Sequence, residues 1–114
     1  MSNSDNLAGQ MAGILDGKKA EDITVLDIRR LSVLADYFVI ASGRSEVQVN
    51  ALYDELQGKM AEKGIFPRHL DKSDRWIAVD YGDIIVHIFH QEERAFYNIE
   101  RLWTDGERSP VSYE

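Results

Sequence analysis

The sequence predicts an α/β layered domain, a mixed β-sheet with flanking helices. Three stretches carry that expectation. Trp76 to Phe89 holds two apolar runs around Gly82-Asp83, and a two-residue loop with Gly first suits a type II′ hairpin turn. Tyr37-Phe-Val-Ile-Ala41 is apolar at every position and rich in β-formers, as expected of a strand buried on both faces. Ser45-Glu-Val-Gln48 has the S-x-x-Q form of a capping box and opens the clearest helical stripe in the chain.

Taken in order, residues 1–3 read as a disordered start, and Ser4 is a candidate N-cap. Leu7, Met11, Ile14 and Leu15 follow at one-face helical spacing up to Gly17. Asp22 to Ile28 reads as a strand, Arg29 to Ser32 as a connection, and 37–41 as the buried strand. The helix opened by Ser45 buries Val49, Leu52, Leu56 and Met60. Lys59 and Lys63 suit its negative end, and Gly64 stops it. Ile65-Phe66-Pro67 leads into a short extended segment, and Asp71-Lys-Ser-Asp74 is a polar turn before the hairpin. Gln91 to Trp103 reads as a third helix with Phe96, Ile99 and Trp103 on one stripe. Residues 1–104 are thus one domain, and 105–114 a polar tail expected to be mobile.

Strand side chains alternate between faces. With 82 and 83 as the loop, Tyr81 faces Ile84, Val79 faces Val86 and Ile77 faces Ile88, a wholly apolar side. The opposite side holds Trp76, Ala78, Asp80, Ile85, His87 and Phe89. A core face needs neither Asp nor His. Either a helix covers this side and Asp80 pairs diagonally with His87, or the side is a functional surface.

The chain of 114 residues is long enough to bury one core, and 44% hydrophobic content without long biased tracts fits a folded, soluble domain. With no cysteine there is no disulfide, thiolate site or cysteine nucleophile. No membrane-length apolar run or targeting segment is visible, so the expected address is cytoplasmic. The net charge of −7 and the scattering of basic residues disfavour nucleic acid as the main contact and suit a basic protein partner.

An enzyme reading starts from Gly43-Arg-Ser45, where helix N-terminal amides can hold a phosphate, and from Asp80 and Asp83, a carboxylate pair for a divalent metal. Such a set loosely resembles a nucleotidyltransferase site. Asp83 lies in the turn, however, and Asp80 projects from the strand, so the two need not converge, and no third carboxylate stands at strand spacing beside them. His69, His87 and His90 lack metal-site spacing, and no G-x-S-x-G elbow exists. Partner binding gains by contrast. Trp76 is an interface-type anchor on the mixed face, beside Asp80.

At this point three blocks resemble a known family. Asp36-Tyr-Phe-Val-Ile-Ala-Ser-Gly43 with Ser45, Gln48 and Val49 is similar to the first block of the ribosomal silencing factor (Iojap) family. Trp76, Asp80-Tyr-Gly-Asp83, Val86 and His87 resemble the second, and Arg94, Tyr97, Glu100, Leu102 and Trp103 the third. Ahead of the hairpin, where members often carry a Glu-Gly pair, this chain has His69-Leu70-Asp71. The resemblance implies a nucleotidyltransferase-like fold without the catalytic carboxylates, no cofactor or metal, and a homodimer when free. It also implies docking on the large ribosomal subunit through the ribosomal protein uL-fourteen, which blocks joining of the small subunit and damps translation. Carried onto matching positions, Trp76 is the expected apolar anchor, and Asp80 and Asp83 the expected charge partners. Tyr81 and His87 are secondary, Tyr81 the weaker because alternation puts it on the apolar face.

Overall fold

The sheet is organised around two parallel strands. The computed structural model describes residues 3–97 and 107–108. Its elements run α1 (Asn3–Gly17), β1 (Glu21–Asp27), β2 (Tyr37–Gly43), α2 (Glu46–Glu62), β3 (His69–Lys72), β4 (Trp76–Asp80), β5 (Ile84–His90), α3 (Gln91–Tyr97) and β6 (Glu107–Arg108). The sheet order is β3-β4-β5-β2-β1-β6. β2 pairs parallel with β5, and β1–β2, β1–β6, β3–β4 and β4–β5 pair antiparallel, so the sheet is mixed as expected. Every residue of β2 is buried, which is what its unbroken apolar run requires of a central strand.

The hairpin register follows from its turn. Val79 pairs with Val86 and Ile77 with Ile88, and the Tyr81 N–H donates to the Ile84 carbonyl at 2.9 Å. Gly82 has φ of 96°, the left-handed conformation that the first loop position of this turn demands and that only glycine adopts cheaply. A one-residue slip would turn every apolar side chain to the wrong face.

One face of the sheet carries α1 and α2. Ala8, Met11, Ala12 and Leu15 of α1 pack with Val49, Leu52, Leu56 and Met60 of α2 against Val39, Ile77, Val79, Ile84, Val86 and Ile88, each fully buried at 0% exposure. Removing any of the larger ones costs about 2–5 kcal/mol through lost burial and the cavity left behind. Leu7 and Ile14 pack at the margin of this core. α1 begins at Asn3, so Ser4 lies in its first turn and is not its cap. Ser45 does cap α2. Its Oγ accepts the Gln48 N–H at 3.0 Å, while Gln48 Oε1 reaches one residue further back than in a standard capping box, to the Arg44 N–H at 2.6 Å. At the far end the Ile65 N–H donates to Met60 O and the Gly64 N–H to Ala61 O, a Schellman stop at the expected glycine.

The expected extended segment before the hairpin is β3, an edge strand with every residue exposed; it also takes in Asp71 and Lys72, which the sequence placed in the polar turn. The third helix is seen over Gln91–Tyr97, and its expected continuation to Trp103 lies outside the described residues. Of the expected tail, Glu107–Arg108 form a short strand on β1, with Leu26 opposite Arg108 and Asp27 opposite Glu107; the rest is outside the described residues.

Candidate functional site

The face of the sheet opposite α1 and α2 carries a second, aromatic cluster. Leu26, Ile28, Ala35, Phe38, Ile40 and Phe89 are buried there, with Trp76 and Ile85 packed at its margin. Strand alternation places Trp76, Ala78 and Asp80 of β4 and Ile85, His87 and Phe89 of β5 on this side, as read from the sequence.

The diagonal Asp80–His87 pair does not form. Asp80 Oδ1 instead accepts the Gly82 N–H at 2.7 Å, an Asx turn that closes the hairpin. The local bond wins because it needs only a two-residue reach along the chain. His87 is taken by the other diagonal: the Trp76 Nε1–H donates to His87 Nδ1 at 3.2 Å. Trp76 stacks on Phe89 with centroids 4.9 Å apart, and Phe38 meets the His87 ring edge-on at 4.9 Å. His87 is only 8% exposed, so it backs the indole and is not itself at the surface. Burial pushes its pKa down to about 4, so the ring is neutral at ordinary pH. With Nδ1 accepting, the ring proton sits on Nε2, which is buried and has no hydrogen-bond partner among the described residues.

Tyr81 is half-buried against the helix-covered core, as alternation implies, and desolvation pushes its phenol up to about 12. Asp83 is exposed at the hairpin end, and its carbonyl accepts the Asp36 and Tyr37 N–H groups at 2.7 and 3.2 Å, tying the turn to the start of β2. The five sequence-selected residues therefore divide. Trp76 and Asp80 share the mixed face with His87 beneath, Asp83 stands at its end, and Tyr81 points to the other side.

Asp71 was not singled out from the sequence. It lies opposite Ala78 on β3 and so joins the mixed face, lining with Lys72, Ser73, Trp76 and Ala78 an open groove of about 320 Å³. The neighbouring Lys72 turns to the helix side, its Nζ 5.0 Å from the centre of the Tyr53 ring. The strand alternation of 69–72 was the signal that could have found Asp71.

Arg75, just before β4, is held by several partners. Its Nε donates to Glu93 Oε1 at 2.9 Å and its Nη2 to Glu92 Oε2 at 2.8 Å, while Nη1 lies 3.6 Å from Glu46 Oε2. His90 Nδ1 accepts the Glu92 N–H at 3.2 Å, so His90 caps α3.

Of the amides around the start of α2, those of Arg44 and Gln48 are already bonded to Gln48 Oε1 and Ser45 Oγ. One oxygen of Asp80 is committed to the turn. Among the described residues no group of three His, Asp or Glu side chains is placed to hold a metal ion.

A family model described as "Ribosomal silencing factor during starvation" matches residues 1–113, reaching past the three sequence blocks into the tail. The Ribosomal silencing factor RsfS of Bacillus subtilis is 39% identical over 97% of this chain and 96% of its own length. That of Halalkalibacterium halodurans is 44% identical, over 93% and 92%. The chloroplastic protein Iojap of Zea mays is 35% identical over 82% of this chain, which spans 40% of it. A crystal structure of a Chromobacterium violaceum protein superposes with a TM-score of 0.85 at 31% identity, covering 97% of this chain and 92% of that one. Matched in sequence over nearly its whole length and in fold by a solved relative, the chain belongs to the ribosomal silencing factor family.

Proposed function

We propose that this protein is a cytoplasmic translation repressor that docks on the large ribosomal subunit and blocks joining of the small one. Its contact on the ribosome is the ribosomal protein uL-fourteen, and its docking surface is the face built around Trp76. The observation that carries the reading is the build of that face. A part-exposed indole stacks on a buried aromatic floor, with the Asp80 and Asp71 carboxylates alongside. A rigid aromatic anchor ringed by carboxylates suits a basic protein surface, and the −7 net charge steers the chain toward one. Asp83 extends the charged edge, whereas Tyr81 supports the turn from behind. Free of the ribosome the protein is a homodimer. It carries no cofactor or metal and turns over no nucleotide.

The test is co-sedimentation with isolated large subunits and competition with small subunits. Trp76→Ala is expected to lower retention by at least tenfold while the fold survives. Asp80→Asn keeps the oxygen that accepts from Gly82 and removes the charge, so it is expected to weaken binding more at low salt than at high salt. Folded variants of both kinds that bind like the parent would overturn the reading, as would metal-dependent nucleotide turnover lost in an Asp80→Ala/Asp83→Ala variant.

A further inference from the structure

We infer that His87 is a positioning residue, which holds the Trp76 indole in its docking orientation through the Nε1–H···Nδ1 hydrogen bond and touches no partner itself. The inference rests on the reading of Trp76 as the docking anchor.

His87 occupies a place where an apolar residue would pack at lower cost. Its ring lies between Phe38, edge-on at 4.9 Å, and Phe89, near-parallel at 6.0 Å, and it is 8% exposed. One nitrogen accepts from the indole at 3.2 Å, and the other is a buried donor without a partner among the described residues. An orphaned buried N–H costs stability, so packing does not explain a histidine here. The indole does. Stacking on Phe89 sets the plane of the Trp76 ring and carries no information about its rotation within that plane. An acceptor at the pyrrole edge favours one rotation and so the edge of the indole that the groove by Ala78 and Asp71 presents. The ordering is then complete before a partner arrives, which lowers the entropic cost of docking. Nδ1 is attached directly to Cγ, so the Oδ1 of an asparagine at position 87 would stand close to the same point, whereas phenylalanine keeps the ring and loses the acceptor.

The test compares His87→Phe, His87→Asn and Trp76→Ala in the full-length protein. Indole N–H resonances are followed by ¹⁵N-correlated NMR, and affinity for isolated large subunits is measured alongside. The spectrum lacking the Trp76 signal assigns it against Trp103. His87→Phe is expected to stay folded, to shift the Trp76 indole proton upfield with faster solvent exchange, and to bind large subunits about three- to tenfold more weakly, the worth of one hydrogen bond. His87→Asn is expected to recover most of the shift and of the affinity despite its smaller volume, which a merely space-filling role would not allow. Two results overturn the inference: an unchanged Trp76 resonance and affinity in His87→Phe, or an Asn variant no better than Phe. If Trp76→Ala itself binds like the parent, the docking reading fails, whatever the indole resonance does.

Discussion

Lys19 holds φ of 66°, a left-handed conformation that costs a side chain about 1–2 kcal/mol. The strain belongs to the end of α1. The Lys19 N–H donates to Asp16 O at 2.9 Å and the Ala20 N–H to Leu15 O at 3.0 Å, a Schellman stop with lysine where glycine usually stands. The Lys19 carbonyl also accepts Gln48 Nε2 at 3.1 Å, so the turn that ends α1 is fastened to the first turn of α2. On the Lys19 side that bond uses only the backbone carbonyl. Lys19→Gly should therefore keep it, relieve the strain and raise stability by about 0.5–1 kcal/mol after the added freedom of the unfolded chain is subtracted. Chemical denaturation reads it as a higher midpoint at unchanged slope; a lower midpoint would mean that the lysine side chain holds something its exposed position does not suggest. Gly64, at the equivalent place after α2, was legible from the sequence because glycine announces this geometry. Lys19 was not, because nothing in a lysine announces it.

At the scale of elements, Arg94 ties α3 to the start of β1 and the end of β2. Arg94 donates to the Asp22 carbonyl, to Ser42 Oγ at 3.0 Å and to Thr24 Oγ1 at 3.2 Å. These acceptors surround the bulge in β1, where the register shifts between Glu21 and Thr24 and Asp22 takes φ of 50°. Replacing Arg94 by Met keeps the apolar stem and removes the donor to the buried Ser42 hydroxyl. Stability should fall by about 1–3 kcal/mol, with amide exchange accelerating first at residues 22–24. Uniform acceleration across the sheet would argue against a local anchor. Arg94 entered the sequence reading only through the family's third block, because periodicity cannot see a contact between residues so far apart. The hairpin shows the converse. Alternation and a Gly-Asp loop determine its register between them, and every cross-strand pair followed. What alternation could not resolve was which diagonal His87 would take. Asp80 is drawn into the turn by a neighbour two residues away, and that choice frees His87 for Trp76.

At the scale of the whole molecule, the aromatic face couples stability to pH. His87 has its pKa lowered by desolvation to about 4 in the folded protein, against 6.5 for an unburied histidine. As pH falls through 6.5 the unfolded chain takes up a proton that the folded chain refuses, so the balance shifts toward unfolding. The loss deepens until about pH 4, where the folded ring protonates too, and then levels off. Its size near pH 4.5 is on the order of 2–3 kcal/mol, a large part of the stability of a domain this small. Asp27 acts in a different window. Its hydrogen bonds from Arg29 lower its pKa below 3.8, so the stability it contributes is present above that value and is lost only as pH drops further. Between pH 7 and pH 4.5 the histidine term can therefore be separated from Asp27, and comparison with His87→Phe subtracts what the other carboxylates add. The parent protein should lose about 2–3 kcal/mol more than His87→Phe over that interval by chemical denaturation. Parallel losses would place the imidazole in contact with water and remove the closed aromatic box from which its neutrality follows. A neutral His87 is also what keeps the acceptor for the indole in place, so the same burial that weakens the protein in acid fixes Trp76 at neutral pH.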